Sequence, residues 1–505
     1  MDPAPAPQDA GPDPRRWRAL AVCLVAGFMT LLDVSIVNVA LPSIEAGIGA
    51  TASDLQWIVS GYALTFGLVL VGAGRTGDAI GRRTMFIVGV LVFGVSSLAA
   101  GLAPNSGVLV AARLLQGIGG GLLNPQVSGL IQELFSGRER GRAFGLLGAT
   151  IGVSTAVGPL AGGLIIGLLG VEAGWRWIFF VNLPIVAGAV ILALRWLPAP
   201  HRRHPERRPD LDPVGVVILG LGVGALLLPL IESGRGDGLP VPWWTGLIGA
   251  GLIAAFVAWE SSYVARGRSP LVDVALFRIP GYPSGAIVSA VYFAGFTGIF
   301  FVLTIYFQQG LGYSALAAGL MVTPYAAGSA VGSALGGRLV HRWGRLLVTG
   351  GITLSLIGLV AVDVVLTTVD GPGLGWALAV PLLVGGIGSG FVISPNITLT
   401  LHDVPVHRAG TAAGVLQTGQ RLGTAAGIAL IGSIFFALGT ASGDRTSAAA
   451  MALRVAAAVM SLALVASAVD LRARRREGRL APAATAPASP PSGIRPGDNP
   501  SAKDV

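Results

Sequence analysis

Three charged residues stand inside long apolar stretches of this sequence and are its first candidates for chemistry. Asp33 lies in LLDVSIVNVALP, Arg113 in RLLQGIGGGLLNP and Arg421 in LQTGQRLGTAAG. A charge within a membrane span costs roughly 2.5–3.5 kcal/mol on insertion scales, so such a residue is by default a functional candidate. The carboxyl group suits a proton or a cationic ligand, whereas the two arginines would equally accommodate anions or zwitterions.

Both arginines lie on helical stripes of polar side chains, because residues three or four apart share one face of a helix. The two stripes comprise Arg113, Gln116 and Asn124, and Gln417, Gln420 and Arg421. At 1.5 Å per residue, Asp33 lies about 22 Å above the inner face and Arg113 about 9 Å below the outer face, which are similar depths. A functional acid, a buried structural acid and an ion pair between these two residues are the alternatives at this point.

The composition determines which elements must hold these residues. Of the 505 residues, 53% are hydrophobic and only 12% are charged, against roughly 25% charged in soluble domains. The mean hydropathy is +0.73. A soluble chain of this length could not bury so much apolar surface. We therefore predict an all-α polytopic membrane protein.

Apolar runs of about 20 residues, the length that crosses a bilayer core, recur along the chain. The fourteen predicted spans are 18–41, 54–73, 84–103, 107–128, 143–169, 177–197, 214–232, 243–264, 282–309, 315–337, 346–368, 376–400, 411–438 and 448–470. They form two six-helix bundles, 18–197 and 282–470, and an inserted helix pair, 214–265. The remaining segments are predicted to be cytoplasmic: an N-terminal tail (1–17), a basic loop (198–213), a second loop (266–281) and a disordered C-terminal tail (471–505).

The charge distribution predicts the orientation and excludes several classes of protein. Inner loops of membrane proteins carry an excess of Lys and Arg, and with both termini cytoplasmic nearly all of these residues sort to the inner side. The net charge of +9 is scattered between apolar runs, so we predict no nucleic-acid partner. Cys23 is the only cysteine, and the five histidines fall in predicted loops without metal-ligand spacing. We predict no metal and no cofactor.

Two motifs occur once in each group of six spans. GIGGGLLNP at 117–125 is repeated as GIGSGFVISP at 386–395, and GRTGDAIGR at 74–82 as GRLVHRWGR at 337–345. Such repetition predicts parallel halves with a pathway between them. GIGGG lies within a span and follows no strand, so its glycines indicate close helix packing rather than a dinucleotide site.

Several motifs, in the same order, resemble those of the major facilitator superfamily and, more narrowly, its fourteen-helix drug:proton antiporters. They are LDVSIVNVALP in the first span, GRTGDAIGRR at 74–83, RLLQGIGGGLLNP in the fourth span and GVSTAVGPLAGG at 152–163. The resemblance extends from about Arg18 to Asp470. It implies the major facilitator fold, with two six-helix bundles and two inserted helices.

The resemblance places a cytoplasmic gate around the loop after the second span, where an acid and an arginine hold the two halves closed. The matching residues and their expected partners are Gly74, Asp78, Gly81, Arg82, Arg83, Glu133 and Arg142. The repeat in the second half has His341 where the acid would be, so the gate is predicted to be asymmetric. A solvated basic loop that only follows the topology is the alternative.

The resemblance also assigns roles within the spans. It implies that Asp33 serves coupling or substrate recognition and that Arg113 takes part in proton transfer. The candidates to line a cavity are Gln116, Asn124, Gln417, Gln420 and Arg421. The motif associated with antiporters rather than symporters comprises Gly152, Gly158, Pro159, Gly162 and Gly163. Ordinary packing of small residues is the alternative for this motif.

These features predict a monomeric, proton-driven antiporter that exports small, lipophilic drugs or antibiotics across a bacterial plasma membrane by alternating access. Its partners are a small-molecule substrate, the lipid bilayer and protons as the coupling ion. A facilitator or symporter of a metabolite on the same fold is the first alternative. A polytopic membrane enzyme is the second, although no predicted loop is long enough to hold an aqueous active site.

Overall fold

The computed structural model of the chain describes residues 16–198, 212–233, 242–268 and 270–480, apart from 273, 370, 372 and 406–408. Fourteen helical segments of this described part are long and apolar enough to cross a membrane, and it contains no strand. The predicted fold class, an all-α polytopic membrane protein with two six-helix bundles and an inserted pair, is confirmed.

The helices follow one another with short connections. The first half contains α1 (Arg16–Ile48), α2 (Ala52–Ile80), α3 (Arg82–Gly101), α4 (Ser106–Leu134), α5 (Gly137–Leu169), α6 (Val171–Phe180) and α7 (Asn182–Trp196). The inserted pair is α8 (Pro213–Glu232) and α9 (Trp244–Ala265). The second half contains α10 (Tyr282–Ile305), α11 (Ala315–Trp343), α12 (Arg345–Thr368), α13 (Leu374–Leu401), α14 (Ala409–Ser442) and α15 (Arg445–Leu480).

Two elements differ from the predicted spans. The sixth span, predicted at 177–197, begins at Val171 and is divided into α6 and α7 by a turn at Val181. Pro184 follows this turn, and its nitrogen cannot donate to the carbonyl of Phe180. The helix α15 continues to Leu480, which corrects the prediction of disorder from residue 471.

The extension of α15 carries RARRRE, and arginine and glutamate are good helix formers that favour continuation into water. The other residues of the predicted tails (1–15 and 481–505) and most of the predicted basic loop (199–211) lie outside the described residues.

The two halves meet mainly along two pairs of helices, with smaller contacts of α1 with α10 and α11. The helix α2 packs against α14, and α5 packs against α11, whereas α2 and α3 pack against α4 within the first half. The glycines of the GIGGG motif permit this last contact: a Cβ at Gly119 would lie 2.6 Å from the backbone nitrogen of Phe93. The predicted role of these glycines in close packing is confirmed. Cys23 is buried in the core of the first half.

The inserted pair is attached to both neighbouring parts of the chain. Asp212 caps α8 by accepting from Gly215 N at 3.0 Å and also accepts from Trp259 Nε1 at 2.9 Å. Glu260 of α9 accepts from the backbone nitrogen of Leu271, in the connection to α10. The helix α8 packs against α2 and α14, and α9 packs against α8, so the pair does not lie between the two halves.

Candidate functional site

The predicted site residues Asp33 and Arg113 form an ion pair inside the first half. Arg113 Nη1 lies 2.6 Å from Asp33 Oδ2, and the two side chains are 1% and 0% exposed. The helix α1 presents the acid and α4 presents the arginine, at the similar depth that residue counting had indicated. Of the alternatives for these residues, the structure therefore contains the ion pair.

Three further polar side chains complete this cluster. Gln116 Nε2 donates to Asp33 Oδ1 at 2.9 Å, and Asn182 Nδ2 donates to the same oxygen at 3.0 Å. Ser97 Oγ accepts from Gln116 at 2.7 Å and from Asn182 at 3.3 Å. We refer to these five residues as the Asp33 cluster. Its members come from α1, α3, α4 and α7, so it lies entirely within the first half.

Arg113 makes further contacts besides its ion pair with Asp33. Arg113 Nε donates to the carbonyl of Ile58 at 3.2 Å, and the guanidinium carbon lies 4.3 Å from the centroid of the Tyr62 ring. A buried charge persists only when it is paired and its remaining donors are satisfied. Arg113 is paired with Asp33 and donates through both Nε and Nη1, so its charge is held inside the first half.

Sequence reasoning missed Asn182 and Ser97. Asn182 does have a signal, because it is a polar residue within an apolar run and it precedes Pro184 at the break between α6 and α7. The third residue of the α4 stripe, Asn124, is half-buried and does not belong to the Asp33 cluster. Gln126, two residues later on α4, makes a polar contact with α2: it donates to the carbonyl of Ala73 at 2.8 Å.

The stripe on α14 divides into two faces. Gln420 Nε2 donates to Ser289 Oγ of α10 at 2.8 Å, so this side chain points into the second half. Arg421 points to the other half, with its guanidinium carbon 4.2 Å from the centroid of the Phe66 ring in α2. Gln417 precedes Arg421 by one turn and is half-buried. Arg421, rather than Gln420, therefore lies at the contact between the halves.

The predicted gate residues form contacts within the first half. Arg82 Nη2 lies 2.8 Å from Asp78 Oδ1, and Arg82 Nε lies 3.8 Å from Glu133. Arg83 Nη2 donates to the carbonyl of Leu194 at 2.6 Å. Arg142 is exposed and makes no ion pair with a described residue.

Of the two glycines of the gate motif, Gly81 lies at the boundary between α2 and α3, and Gly74 lies where α2 contacts α4. Gly81 has a φ of 102°, which separates α2 from α3 in a conformation that residues with a side chain rarely adopt. Gly74 lies against Pro125 of α4, where an added Cβ would be 3.6 Å from the proline Cβ. Arg75, within the same motif, donates to the carbonyl of Pro270 in the connection that precedes α10.

The predicted antiporter motif on α5 contacts two helices, α1 in the same half and α11 in the other half. Gly158 and Gly162 lie against α1, where an added Cβ would meet Ser35 or Ile36. Gly163 faces the second half, and a Cβ there would lie 2.5 Å from Leu316 Cα. The carbonyl of Pro159 approaches Gly319 of α11 equally closely. Gly152, farther toward the predicted inner end, has no neighbour nearer than 3.6 Å for such a Cβ.

A second buried ion pair was not predicted. Arg345 Nε lies 3.0 Å from Asp470 Oδ2, both are 6–7% exposed, and Arg345 Nη1 donates to Asn396 Oδ1 at 2.7 Å. Arg345 ends GRLVHRWGR as Arg82 ends GRTGDAIGR. In the second half, Asp470 of α15 is the acidic partner of Arg345, in place of the motif acid that is missing at His341. The sequence of the motif cannot reveal a partner that lies on another helix. No group of three or more side chains that could hold a metal lies in the described part of the chain.

Comparison with known proteins identifies the family of the chain. Residues 23–428 match the family model of the Major Facilitator Superfamily. The chain belongs to this superfamily. Membership indicates a transporter, and the fourteen apolar helices make it a multi-pass protein of the plasma membrane.

Two relatives within the superfamily resemble most of the chain. A probable actinorhodin transporter of Streptomyces coelicolor is 37% identical over 442 residues, which are 86% of this chain and 75% of the relative. The puromycin resistance protein pur8 of Streptomyces alboniger is 36% identical over 429 residues, 84% of this chain and 82% of the relative.

Among solved structures, a bacterial homologue of the human lysosomal transporter Spinster aligns with a TM-score of 0.61 at 17% identity. The alignment covers 92% of this chain and 98% of the other. This likeness concerns the superfamily fold alone.

Proposed function

We propose that this protein is a proton-driven antiporter that exports small, lipophilic drugs or antibiotics from a bacterial cell. The observation that carries the proposal is the Asp33 cluster, in which a carboxylate within a membrane span is sealed by three hydrogen-bond donors. An intramembrane acid is by default a functional site, and carrying protons is one of the roles that such acids have in transporters. The relatives named as a probable actinorhodin transporter and as a puromycin resistance protein support the substrate class.

Coupling proceeds through the ion pair rather than through contact of the acid with substrate. Both oxygens of Asp33 accept from Arg113, Gln116 or Asn182, and the side chain is fully buried, so the carboxylate is not presented to a cationic drug. Protonation removes the charge of the carboxylate and releases Arg113 from its partner. Because the cluster joins α1 to α3, α4 and α7, this step alters how the helices of the first half are held together.

Alternating access is supported by the uneven contact between the halves. At the predicted outer end, Gln308 Nε2 donates to the carbonyl of Val39 at 2.9 Å and Gln309 Nε2 donates to Glu45 at 2.5 Å. Toward the predicted inner end of α5, a Cβ at Gly145 or Gly148 would meet nothing within 4 Å. We infer a state closed outside and open inside, from which the halves rock to release substrate.

Proton entry supplies the energy for this cycle. Each proton that enters down a potential of 100 mV contributes about 2.3 kcal/mol, which suffices to concentrate a substrate without ATP. In this scheme the proton is the coupling ion, both termini are cytoplasmic and the chain works as a monomer with no cofactor.

The first prediction tests coupling in vesicles that contain the purified protein. In these vesicles, a proton gradient with an acidic lumen should drive accumulation of at least one compound of a drug panel, because protons that leave the lumen are exchanged for substrate that enters it. Asp33→Asn should abolish this gradient-driven accumulation but retain exchange of labelled for unlabelled substrate, because that exchange needs no change of protonation. Asp363→Asn is the matched control, since Asp363 is also paired with an arginine, Arg454, but faces the surface.

Two outcomes would contradict the proposal in different ways. Full gradient-driven transport by Asp33→Asn would remove the coupling role of this acid. Transport of substrate in the same direction as protons would make the protein a symporter, and transport that ignores the gradient would make it a facilitator.

A further inference from the structure

Arg421 is a cation placed in the contact between the two halves. It lies on α14, close to the middle of the span Gly410–Gly439, and faces α2. Its guanidinium carbon is 4.2 Å from the centroid of the Phe66 ring, and a Cβ at Gly67 would lie 2.8 Å from Arg421 Cβ. Thr418, three residues earlier, donates to the carbonyl of Gly67 at 2.9 Å. The position of Arg421 is therefore defined by contacts with the opposite half.

The charge of Arg421 has no counter-ion among the described residues. Other arginines of the spans have one: Arg113 pairs with Asp33 at 2.6 Å, and Arg345 lies 3.0 Å from Asp470. Arg421 makes neither an ion pair nor a hydrogen bond with any residue that the structure describes, and its guanidinium lies over the face of Phe66. A lone cation at this depth must face a water-filled cavity or a bound anion.

A second unsatisfied group lies beside Arg421. The Tyr62 hydroxyl is buried, with the residue 2% exposed, and it has no hydrogen-bond partner in the described part of the chain. Tyr62 precedes Phe66 by one turn on α2, and their ring centroids are 5.9 Å apart. The amide of Gln56, fully buried farther along α2, also lacks partners. Free donors and aromatic faces thus occur together along this contact.

The two arginines near this contact differ in what they can bind. Arg113 covers the Tyr62 ring at 4.3 Å, but its charge is neutralised by Asp33. Arg421 retains its charge, so the net charge of Asp33, Arg113 and Arg421 is positive. The site therefore favours a negative group over a positive one.

We propose that Arg421 binds an anionic oxygen of the substrate, and that the transporter therefore prefers compounds that carry a carboxylate or phenolate. The guanidinium supplies a charged donor of fixed geometry, Tyr62 supplies a neutral donor, and the buried Phe66 ring packs against the guanidinium and holds it in place. This inference rests on the proposed export function and names the substrate class that it serves.

The test uses two fluorescent probes that differ in one group. Rhodamine 110 carries a free carboxylate, and rhodamine 123 is its methyl ester. Binding to the purified protein in detergent is measured by fluorescence anisotropy, without any proton gradient. The wild type should bind rhodamine 110 more tightly. Arg421→Gln should weaken binding of rhodamine 110 by about tenfold or more, the effect expected for loss of a charged hydrogen bond, and leave rhodamine 123 nearly unchanged.

Two further variants separate recognition from structure. Arg421→Lys keeps the charge and should retain part of the preference for rhodamine 110. Arg338→Gln removes a charge from the exposed inner end of α11 and should change neither probe. Unchanged binding of rhodamine 123 by Arg421→Gln also shows that this variant is folded.

Several results would overturn the assignment. A wild-type protein that binds neither probe, or both equally, does not recognise the carboxylate. Equal weakening of both probes by Arg421→Gln would show that Arg421 only supports the contact between the halves. Because binding needs no gradient, a selective site in a protein that no proton gradient drives would refute the antiporter proposal and leave this inference intact.

Discussion

At the scale of single residues, the charges within the spans fall into two kinds. Arg113 and Arg345 are buried with an acid and further hydrogen bonds, whereas Arg421 faces an aromatic ring and no acid among the described residues. A buried pair is stable only while both partners are present, because either charge alone keeps its full cost of desolvation. The paired arginines therefore hold helices, and the unpaired one is available to a ligand.

The ion pair of the second half permits a direct test of this distinction. Arg345→Met should lower the free energy of unfolding in detergent by about 3–5 kcal/mol, because Asp470 stays buried without its partner. The double variant Arg345→Met/Asp470→Leu should recover most of this loss. Arg454→Met breaks a pair whose arginine is 54% exposed and should cost only about 0–1 kcal/mol. A double variant as unstable as the single one would refute the explanation.

The similar depth of Asp33 and Arg113 could be predicted from the sequence, since depth follows from counting residues along a helix. Which helices are neighbours does not follow from such counting. Asn182 and Asp470 were missed for this reason: each completes a cluster whose other members lie on different helices. The roles of the site residues stay predictions until transport is measured.

At the scale of elements, the contact between α5 and α11 joins the halves through backbone rather than side chains. Gly163 faces Leu316 Cα, and Gly319 faces the carbonyl of Pro159. Such smooth surfaces permit helices to approach closely and to slide or separate without unlocking interdigitated side chains. The sequence indicated a small-residue face on α5, but not that Gly158 and Gly162 would face α1 while Pro159 and Gly163 meet the other half.

Enlarging Gly163 should open the predicted outer end. In Gly163→Val the added atoms would overlap the backbone of Leu316, and overpacking of this kind costs about 1–3 kcal/mol. We expect faster labelling of a Val39→Cys reporter by an impermeant maleimide, because Val39 is buried where the halves meet. Gly167→Val, one turn later with nothing within 4 Å, is the matched control. Equal labelling of the two variants would show that this contact does not hold the outer end closed.

At the scale of the whole molecule, the hydropathy and charge of the sequence were enough to predict fourteen spans and the fold class. Hydropathy and charge can be read directly along the sequence, so predicting the spans requires no knowledge of which helices are in contact. The division of α6 from α7 and the extension of α15 to Leu480 were not visible, because a break and a helical tail depend on local backbone geometry. The orientation in the membrane stays a prediction.

That orientation can be checked with fusions. Alkaline phosphatase, which is active only outside the cytoplasm, should be inactive when fused after Val505 and active when fused after Asn105, between α3 and α4. A fluorescent protein that matures only in the cytoplasm should give the opposite pattern. Phosphatase activity after Val505 would invert the topology, and with it the assignment of the inner and outer ends.

The burial of Cys23 has a consequence for how the transporter responds to its surroundings. It is the only thiol of the chain, and it lies in α1 with no exposed surface. Oxidants and electrophiles in either aqueous phase therefore find no sulfhydryl to attack, and reaction would require the core of the first half to open. Transport should not follow the redox state of the cell, and a compound that alkylates thiols could pass through without inactivating its carrier.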